Sequence, residues 1–440
     1  MKNFKKISTL FVTTLLVGTF SPLGVVGTTV SAATSEQPEI DAAAAFVIEP
    51  TTGKVLLNQN GDKKLGIASM TKMITEYLLL ETIKNGDLAW DDQIEISEYA
   101  HKISQNYDLS NVPLRIDDTY SVEELYQAMA IYSANGATIA LAEHIAGDEK
   151  TFVDMMHEKV ESWGITNYEL YNTTGLSNAD LQGNIYPGST EDSENSMTAR
   201  EMSIVAQQLI TDFPEVLETS SISEKTFREG TDDEINMKNF NWMLPGLIYE
   251  RENVDGLKTG TTDFAGASMT GTVEEEGMRL ITVLMNATNG QKDTSKRFAE
   301  TDKMMDWAFE SWDMVPAFEE NQLIENIDPV VVDNGKKDAI ELAVKSDVSL
   351  LVPKNTDMKN TTVEVQLKED LLNEADHLTA PIEKGTDVGT AQVISEGDEL
   401  GYVNGDKGEE INVVAASTIE KANVFVLAGR WAKAFISDLF

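Results

Sequence analysis

The sequence predicts a mixed α/β (α+β) domain, an antiparallel sheet flanked by helices, followed by a small all-β domain. Three observations carry that expectation. Strand-like runs stand near both ends of the first region, with helical periodicity between them. The pattern changes from about Glu320 to short alternating segments broken by turn residues. A hydrophobic fraction of 41% with 25% charged residues is that of a folded protein, and 440 residues suffice for two or three domains.

Taken in order, "AAAAFVIEP" and "KVLLNQ" read as a hairpin around the turn Thr51 to Lys54. "SMTKMITEYLLLETIKNG" reads as a helix that begins at Ser69, carries Met70, Met73, Tyr77 and Leu80 on one side, and stops at Asn85-Gly86. A second helix opens at Ser121 to Glu124, a capping-box pattern, and ends at "YSANGAT". "ATIALAEHIAG" and "TFVDMMHEKVESWG" continue the helical middle third. "VDGLKTG", "GASMTGTV" and "RLITVLMNA" read as three strands, the last two joined by a turn at Glu275 to Gly277. "DTSKRFAETDKMMDWAFESW" is a long helix that closes the unit near Trp312.

The two chain ends carry targeting signals. Residues 1–32 have a basic start (Lys2, Lys5, Lys6), an apolar middle and a small-residue exit at Val30 to Ala32, the pattern of a secretory signal cut after Ala32. The tail from Val424 to Phe440 sets Val424, Leu427, Ala428, Trp431, Phe435 and Leu439 on one helical side, with Arg430, Lys433 and Ser437 on another. Such a helix suits a membrane interface, and Arg430 and Lys433 leave its apolar run too short to span. The expected organisation is a signal peptide at 1–32, a linker at 33–41, a catalytic domain at 42–317, a β-rich domain at 320–417 and an amphipathic anchor helix at 418–440.

Composition excludes several kinds of chemistry. There is no cysteine, which removes thiol catalysis, Cys-ligated metal and disulfides. Only His101, His144, His157 and His377 exist, none in a metal-binding spacing or a recognisable triad motif. The formal charge is −40, and loss of Lys2, Lys5 and Lys6 with the signal peptide makes it −43. Phosphate backbones repel such a surface, so nucleic acid is not an expected partner. No metal or organic cofactor is implied.

Three short motifs point to serine chemistry. Ser69 and Lys72 are three residues apart at a predicted helix start, a spacing that puts both on one face. Ser133-Ala134-Asn135 falls where the second long helix breaks, and Lys258-Thr259-Gly260 lies on a predicted strand. A serine hydroxyl becomes a nucleophile when a neighbouring base takes its proton. Without a histidine motif that base must be an amine, and Lys72 fits. Burial and a second cation, Lys258, both favour its neutral form. Ser133 is suited to relay a proton to a leaving amine, and Asn135 to hydrogen-bond a substrate amide. Lys258 with the hydroxyls of Thr259 and Thr261 makes a seat for a terminal carboxylate. Gly260 lets a substrate backbone come close. The backbone N–H groups of Ser69 and Thr261 are the expected oxyanion hole.

With these motifs the chain resembles the low-molecular-mass penicillin-binding D-alanyl-D-alanine carboxypeptidases, whose fold is that of the serine β-lactamases and DD-peptidases. "ELYNTTGLSN", "SMTAREMSIVAQQLI", "VDGLKTGTTDFAG" and "APIEKGTDVGT" are also similar to segments of that family. The resemblance implies removal of the last D-alanine from peptidoglycan stem pentapeptides through an acyl-enzyme on Ser69, and acylation of the same serine by β-lactam antibiotics. It also implies action outside the cell, at the outer face of the cytoplasmic membrane. Many relatives have Ser-Gly-Asn where this chain has Ser133-Ala134-Asn135, and a histidine where it has Thr261. Two alternatives remain at this point. A β-lactamase-like hydrolase needs a carboxylate for the deacylating water, for which "ELYN" (Glu169 to Asn172) is the nearest string. A wall-binding scaffold of weak activity would keep the pocket without useful turnover.

Overall fold

The computed structural model describes residues 37–425 and 427–428, except 326, 355, 357–360, 396–399 and 407. The expected signal peptide and most of the expected tail helix lie outside the described residues. The chain divides into two compact units, one over Gln37–Glu310 and one that begins at Ser311.

The first unit is built on five antiparallel strands: β1 (Ala42–Glu49), β2 (Lys54–Gln59), β3 (Val254–Thr262), β4 (Gly266–Glu275) and β5 (Met278–Ala287), in the order β2-β1-β5-β4-β3. The first and last segments of the unit therefore share one sheet, with β1 paired to β5 from Ala42↔Ala287 to Ile48↔Ile281. In the β1–β2 turn the Glu49 carboxylate accepts from the N–H groups of Thr51 and Thr52 and from the Thr52 hydroxyl. The β4–β5 turn has positive φ at both Glu276 and Gly277, the conformation a two-residue hairpin with right-handed strand twist demands. β3 is a sheet edge, so its outer backbone groups are not used by a neighbouring strand of this sheet.

Between the two halves of the sheet sequence lie the helices α1 (Lys72–Lys84), α2 (Glu98–Ser104), α3 (Val122–Tyr132), α4 (Asn135–Ala146), α5 (Glu149–Ser162) and α6 (Ala199–Asp212), and α7 (Lys296–Ser311) follows the last strand. The capping box at Ser121 forms as the sequence predicts: Glu124 N–H donates to Ser121 Oγ and Ser121 N–H donates to the Glu124 carboxylate. Thr198 and Glu201 make a second box at the start of α6.

Helix α1 departs from its predicted amphipathic form. Every residue from Lys72 to Leu80 is buried, because α3, α4, α5 and α6 all pack around it. It is also preceded by a 3-10 turn, Ala68–Thr71, so Ser69 lies in that turn and the α-helix begins at Lys72. In that turn Met70 N–H donates to the Ile67 carbonyl at 3.0 Å, and Ala68 takes a φ of +44°, a conformation costly for a residue with a Cβ.

Among the described residues, the second unit is strands apart from short turns of helix. It comprises β6 (Trp312–Phe318), β7 (Val330–Asp333), β8 (Ala339–Ile340), β9 (Leu342–Val344), β10 (Val348–Pro353), β11 (Thr361–Leu367), β12 (Leu378–Thr379), β13 (Asp387–Ser395) and β14 (Glu409–Ala415). They form sheets β6-β10, β8-β7-β12 and β9-β14-β13-β11 around a core that includes Val332, Leu342, Val344, Leu350, Val388 and Val413. Alternation is clear in β11, where Val363, Val365 and Leu367 face that core between outward polar residues. No helix among the described residues is long and apolar enough to cross a membrane.

Candidate active site

The three motifs, far apart in the chain, meet at one point of the first unit. Lys72 Nζ lies 3.1 Å from Ser69 Oγ and donates to Asn135 Oδ1 and to the Thr174 carbonyl oxygen, each at 2.8 Å. Lys258 Nζ donates to Ser133 Oγ at 2.9 Å and to the Thr259 carbonyl at 3.2 Å. Lys72, Ser133, Asn135 and Lys258 are buried, whereas Ser69 is half-buried and so open to a reactant.

Backbone conformation aims each serine. Ser133 caps the C-terminus of α3 in the left-handed region, φ 56° and ψ 29°, which breaks the helix and turns the hydroxyl to Lys258. Asn135 begins α4, with its Nδ2 donating to the Ser110 carbonyl at 3.0 Å, so the amide oxygen is held toward Lys72. On β3, Gly260 has a structural reason beyond the substrate approach expected of it. A Cβ there would stand 2.6 Å from the Ile67 carbonyl oxygen, so the strand rests directly on the 3-10 turn that carries Ser69. Thr259 is buried and Thr261 is exposed, and the Thr261 hydroxyl accepts from Arg297 Nη2 at 2.7 Å.

The electrostatics follow from burying three cations together. Burial, with Lys258 adding repulsion, holds the Lys72 amine well below the ordinary lysine range, while Glu149 works in the opposite direction. Lys258 is pushed down to about 7 by burial, opposed by Glu76 and reinforced by Arg297. Burial lowers the Arg297 guanidinium to about 10. A neutral Lys72 still has two N–H groups for Asn135 and Thr174, and its lone pair is then free to accept the Ser69 proton.

Four contributors escape motif reading. Arg297 on α7 donates to the carbonyls of Gly260 and Ser268 as well as to Thr261, and nothing in "DTSKRFAE" separates it from a solvated helix arginine. Thr174 acts through its backbone carbonyl, which no residue type announces, although it lies within the family-like "NTTGL". Glu76 and Glu149 are buried carboxyls that read as surface charges. By contrast Glu169, the candidate for a β-lactamase-type carboxylate, is exposed and spends its oxygens on Lys64 and Ser196. The histidines have other partners: His101 contacts the Leu114 carbonyl, His157 the Tyr168 hydroxyl and His377 the Asp333 carboxylate.

Comparison with known proteins agrees with this geometry. Residues 31–289 match the D-alanyl-D-alanine carboxypeptidase family, and residues 312–421 match the C-terminal domain of penicillin-binding protein 5. The chain is 31% identical to the D-alanyl-D-alanine carboxypeptidase DacF of Bacillus subtilis, over 89% of this chain and 90% of that one. It is 30% identical to the D-alanyl-D-alanine carboxypeptidase DacA of Escherichia coli, over 88% and 86%. Among solved structures it resembles the peptidoglycan synthesis regulatory factor (PBP3) of Streptococcus pneumoniae, with a TM-score of 0.71 and 36% identity over 87% of this chain and 100% of that one. It also resembles penicillin binding protein 5 of Haemophilus influenzae, with a TM-score of 0.67 and 26% identity over 88% and 99%. The fold is that of a penicillin-binding DD-peptidase with an all-β C-terminal domain, and the chain belongs to the D-alanyl-D-alanine carboxypeptidase family.

Proposed function

We propose that the protein is a serine-type D-alanyl-D-alanine carboxypeptidase that removes the terminal D-alanine from peptidoglycan pentapeptide stems. The observation that carries this reading is the Lys72 amine 3.1 Å from the Ser69 hydroxyl, in a site that holds its lysines by neutral partners. In the first step the neutral Lys72 amine takes the Ser69 proton and Oγ attacks the carbonyl carbon between the last two residues of the stem. The oxyanion is met by the N–H groups of Ser69 and Thr261. The C–N bond then breaks, and the departing amine of D-alanine receives a proton relayed through Ser133 from the lysines. Water hydrolyses the ester with the same amine as base and frees Ser69.

Substrate choice follows from the cations. The terminal carboxylate sits against Lys258 and the hydroxyls of Thr259 and Thr261, with the Arg297 guanidinium behind Thr261, while Asn135 and Gly260 border the peptide. A β-lactam presents the same carboxylate and a reactive acyl group, so it acylates Ser69 as a covalent inhibitor. In the cell, the signal peptide at 1–32 exports the chain, the linker at 33–41 leads into the catalytic unit, and the β-rich unit, which runs on through the bridges of Ile419 and Lys421 to Ile382 and Gly335, precedes an anchor helix in the tail. That helix holds the enzyme peripherally at the outer face of the cytoplasmic membrane, where trimming of stems limits cross-linking and so influences cell shape.

The test uses the soluble protein from Ala33 to Asn423 and its Ser69→Ala partner with a stem pentapeptide ending in D-Ala-D-Ala. Release of free D-alanine by the parent alone is the expected result. No release, with intact acylation by penicillin, would instead support the scaffold reading.

A further inference from the structure

Glu149 is the first residue of α5, a position where an acidic residue ordinarily points into water and complements the helix dipole. Here it is 6% exposed. One carboxylate oxygen accepts from Thr173 N–H at 3.0 Å and from the Thr173 hydroxyl at 2.7 Å, and the other accepts from the Tyr99 hydroxyl at 2.8 Å. The next carbonyl along the chain, that of Thr174, is the one that accepts from Lys72 Nζ. Both sides of this connection are fixed. The Thr75 hydroxyl donates to the Thr173 carbonyl at 2.8 Å, and Asn172 Oδ1 accepts from the N–H groups of Thr174 and Gly175.

All three donors to Glu149 are neutral: an amide in its place would keep an oxygen for Thr173, with the Tyr99 hydroxyl turning to accept from the amide N–H, so the hydrogen bonds alone do not require a charge here. Burying a carboxylate is costly unless something answers its charge. The hydrogen-bond partners of Lys72 are also neutral, namely Ser69, Asn135 and the Thr174 carbonyl. Of the charges acting on Lys72, Glu149 favours the ammonium form, and Thr173 and Thr174 link the two residues.

We propose that Glu149 is a positioning residue of the acylation site: through Thr173 it seats the Thr174 carbonyl on Lys72, and it supplies the negative charge that stabilises the Lys72 ammonium formed when Ser69 gives up its proton. The inference rests on the reading of Lys72 as the base. Lys258 of β3 faces Lys72 with the opposite influence, and Glu149 itself faces Tyr99 of α2 and Glu143 of α4, with Asp148 and Lys150 beside it. Without Glu149 the two-lysine site would hold a weaker base, and base strength governs the rate of proton abstraction.

The experiment measures the second-order rate of acylation by a penicillin across pH, for the Ala33 to Asn423 protein and its Glu149→Gln, Tyr99→Phe and Lys72→Ala variants, with thermal unfolding of each. Glu149→Gln keeps an acceptor for Thr173 and removes the charge. Its acid limb is expected to move down by about one pH unit, with a plateau lower by about tenfold. Tyr99→Phe takes one donor from the carboxylate, which then gains its proton at higher pH, so its limb moves the same way by less. A Glu149→Gln limb superimposed on the parent's, with only a lower unfolding temperature, would overturn the proposal and leave Glu149 as a brace. Should Glu149→Gln not fold, an unmoved Tyr99→Phe limb would overturn it equally. Acylation of Lys72→Ala at the parental rate is a different failure, that of the base assignment itself.

Discussion

Lys258 and Ser133, 125 residues apart in the chain, are joined by a hydrogen bond of 2.9 Å from ammonium to hydroxyl. The contact couples the end of α3 to the edge strand and makes one protonation state serve two tasks. In the proposed mechanism a charged Lys258 attracts the terminal carboxylate and hands Ser133 a proton that Lys72 then replaces, which leaves Lys72 neutral for the second step. With Lys258 pushed down to about 7, the free enzyme loses that charge as pH rises through neutrality. The kcat/KM for a stem peptide with a free carboxylate is therefore expected to fall above about pH 7. The pH dependence of cleavage of the C-terminally amidated peptide, which has no carboxylate to bind, should lack the part of this limb that reports binding.

Removing the relay separates the steps. Ser133→Ala is expected to lower kcat for D-alanine release by about a hundredfold or more, the usual scale of a general acid. The Ser69–Lys72 pair remains in place, so single-turnover acylation measured beside steady-state release locates the loss.

Glu76, one turn beyond Lys72 on α1, is buried and its Oε1 has no hydrogen-bond partner. Burial raises its carboxyl to about 7, against the lowering effects of Tyr126 and Lys258. A carboxyl raised on folding binds a proton that the unfolded chain has lost, so its contribution to stability declines as pH climbs from the ordinary value of 4.5 through 7. Glu76→Gln should thus match the parent near pH 4 and exceed it by roughly 1–3 kcal/mol at pH 8. Denaturant unfolding at the two pH values measures the difference.

Gly175 has a φ of +79°, and a Cβ on it would lie 1.7 Å from the Ala68 carbonyl oxygen. Gly183 has a φ of +86° with nothing within 4 Å of that position. Gly183→Ala should cost about 1 kcal/mol for the backbone alone. Gly175→Ala should cost about 3 kcal/mol or more and slow acylation, because the clash displaces the 3-10 turn that carries Ser69. Comparing unfolding and penicillin labelling of the two variants separates strain from clash.

Features set by neighbouring residues were legible in the sequence. The hairpin around Thr51, the capping box at Ser121 and the strand carrying Lys258 each depend on a few adjacent side chains, and each appears where the local pattern puts it. Features set by tertiary packing were not. The complete burial of α1 depends on four other helices, and the 3-10 turn at Ser69 depends on Gly175 and Gly260 pressing on it from distant segments. Within the site the motif residues come together, whereas Glu149 and Arg297 show in sequence only as helix charges. Their burial is decided by what covers them.

The most direct measurement is the mass of the intact Ala33 to Asn423 protein after reaction with a penicillin, with peptide mapping of the adduct, for the parent, Ser69→Ala and Lys72→Ala. One adduct is expected, on the peptide containing Ser69, absent from Ser69→Ala and formed at least about a hundredfold more slowly in Lys72→Ala. An adduct on another residue, or equal labelling of all three proteins, would contradict the roles of Ser69 and Lys72.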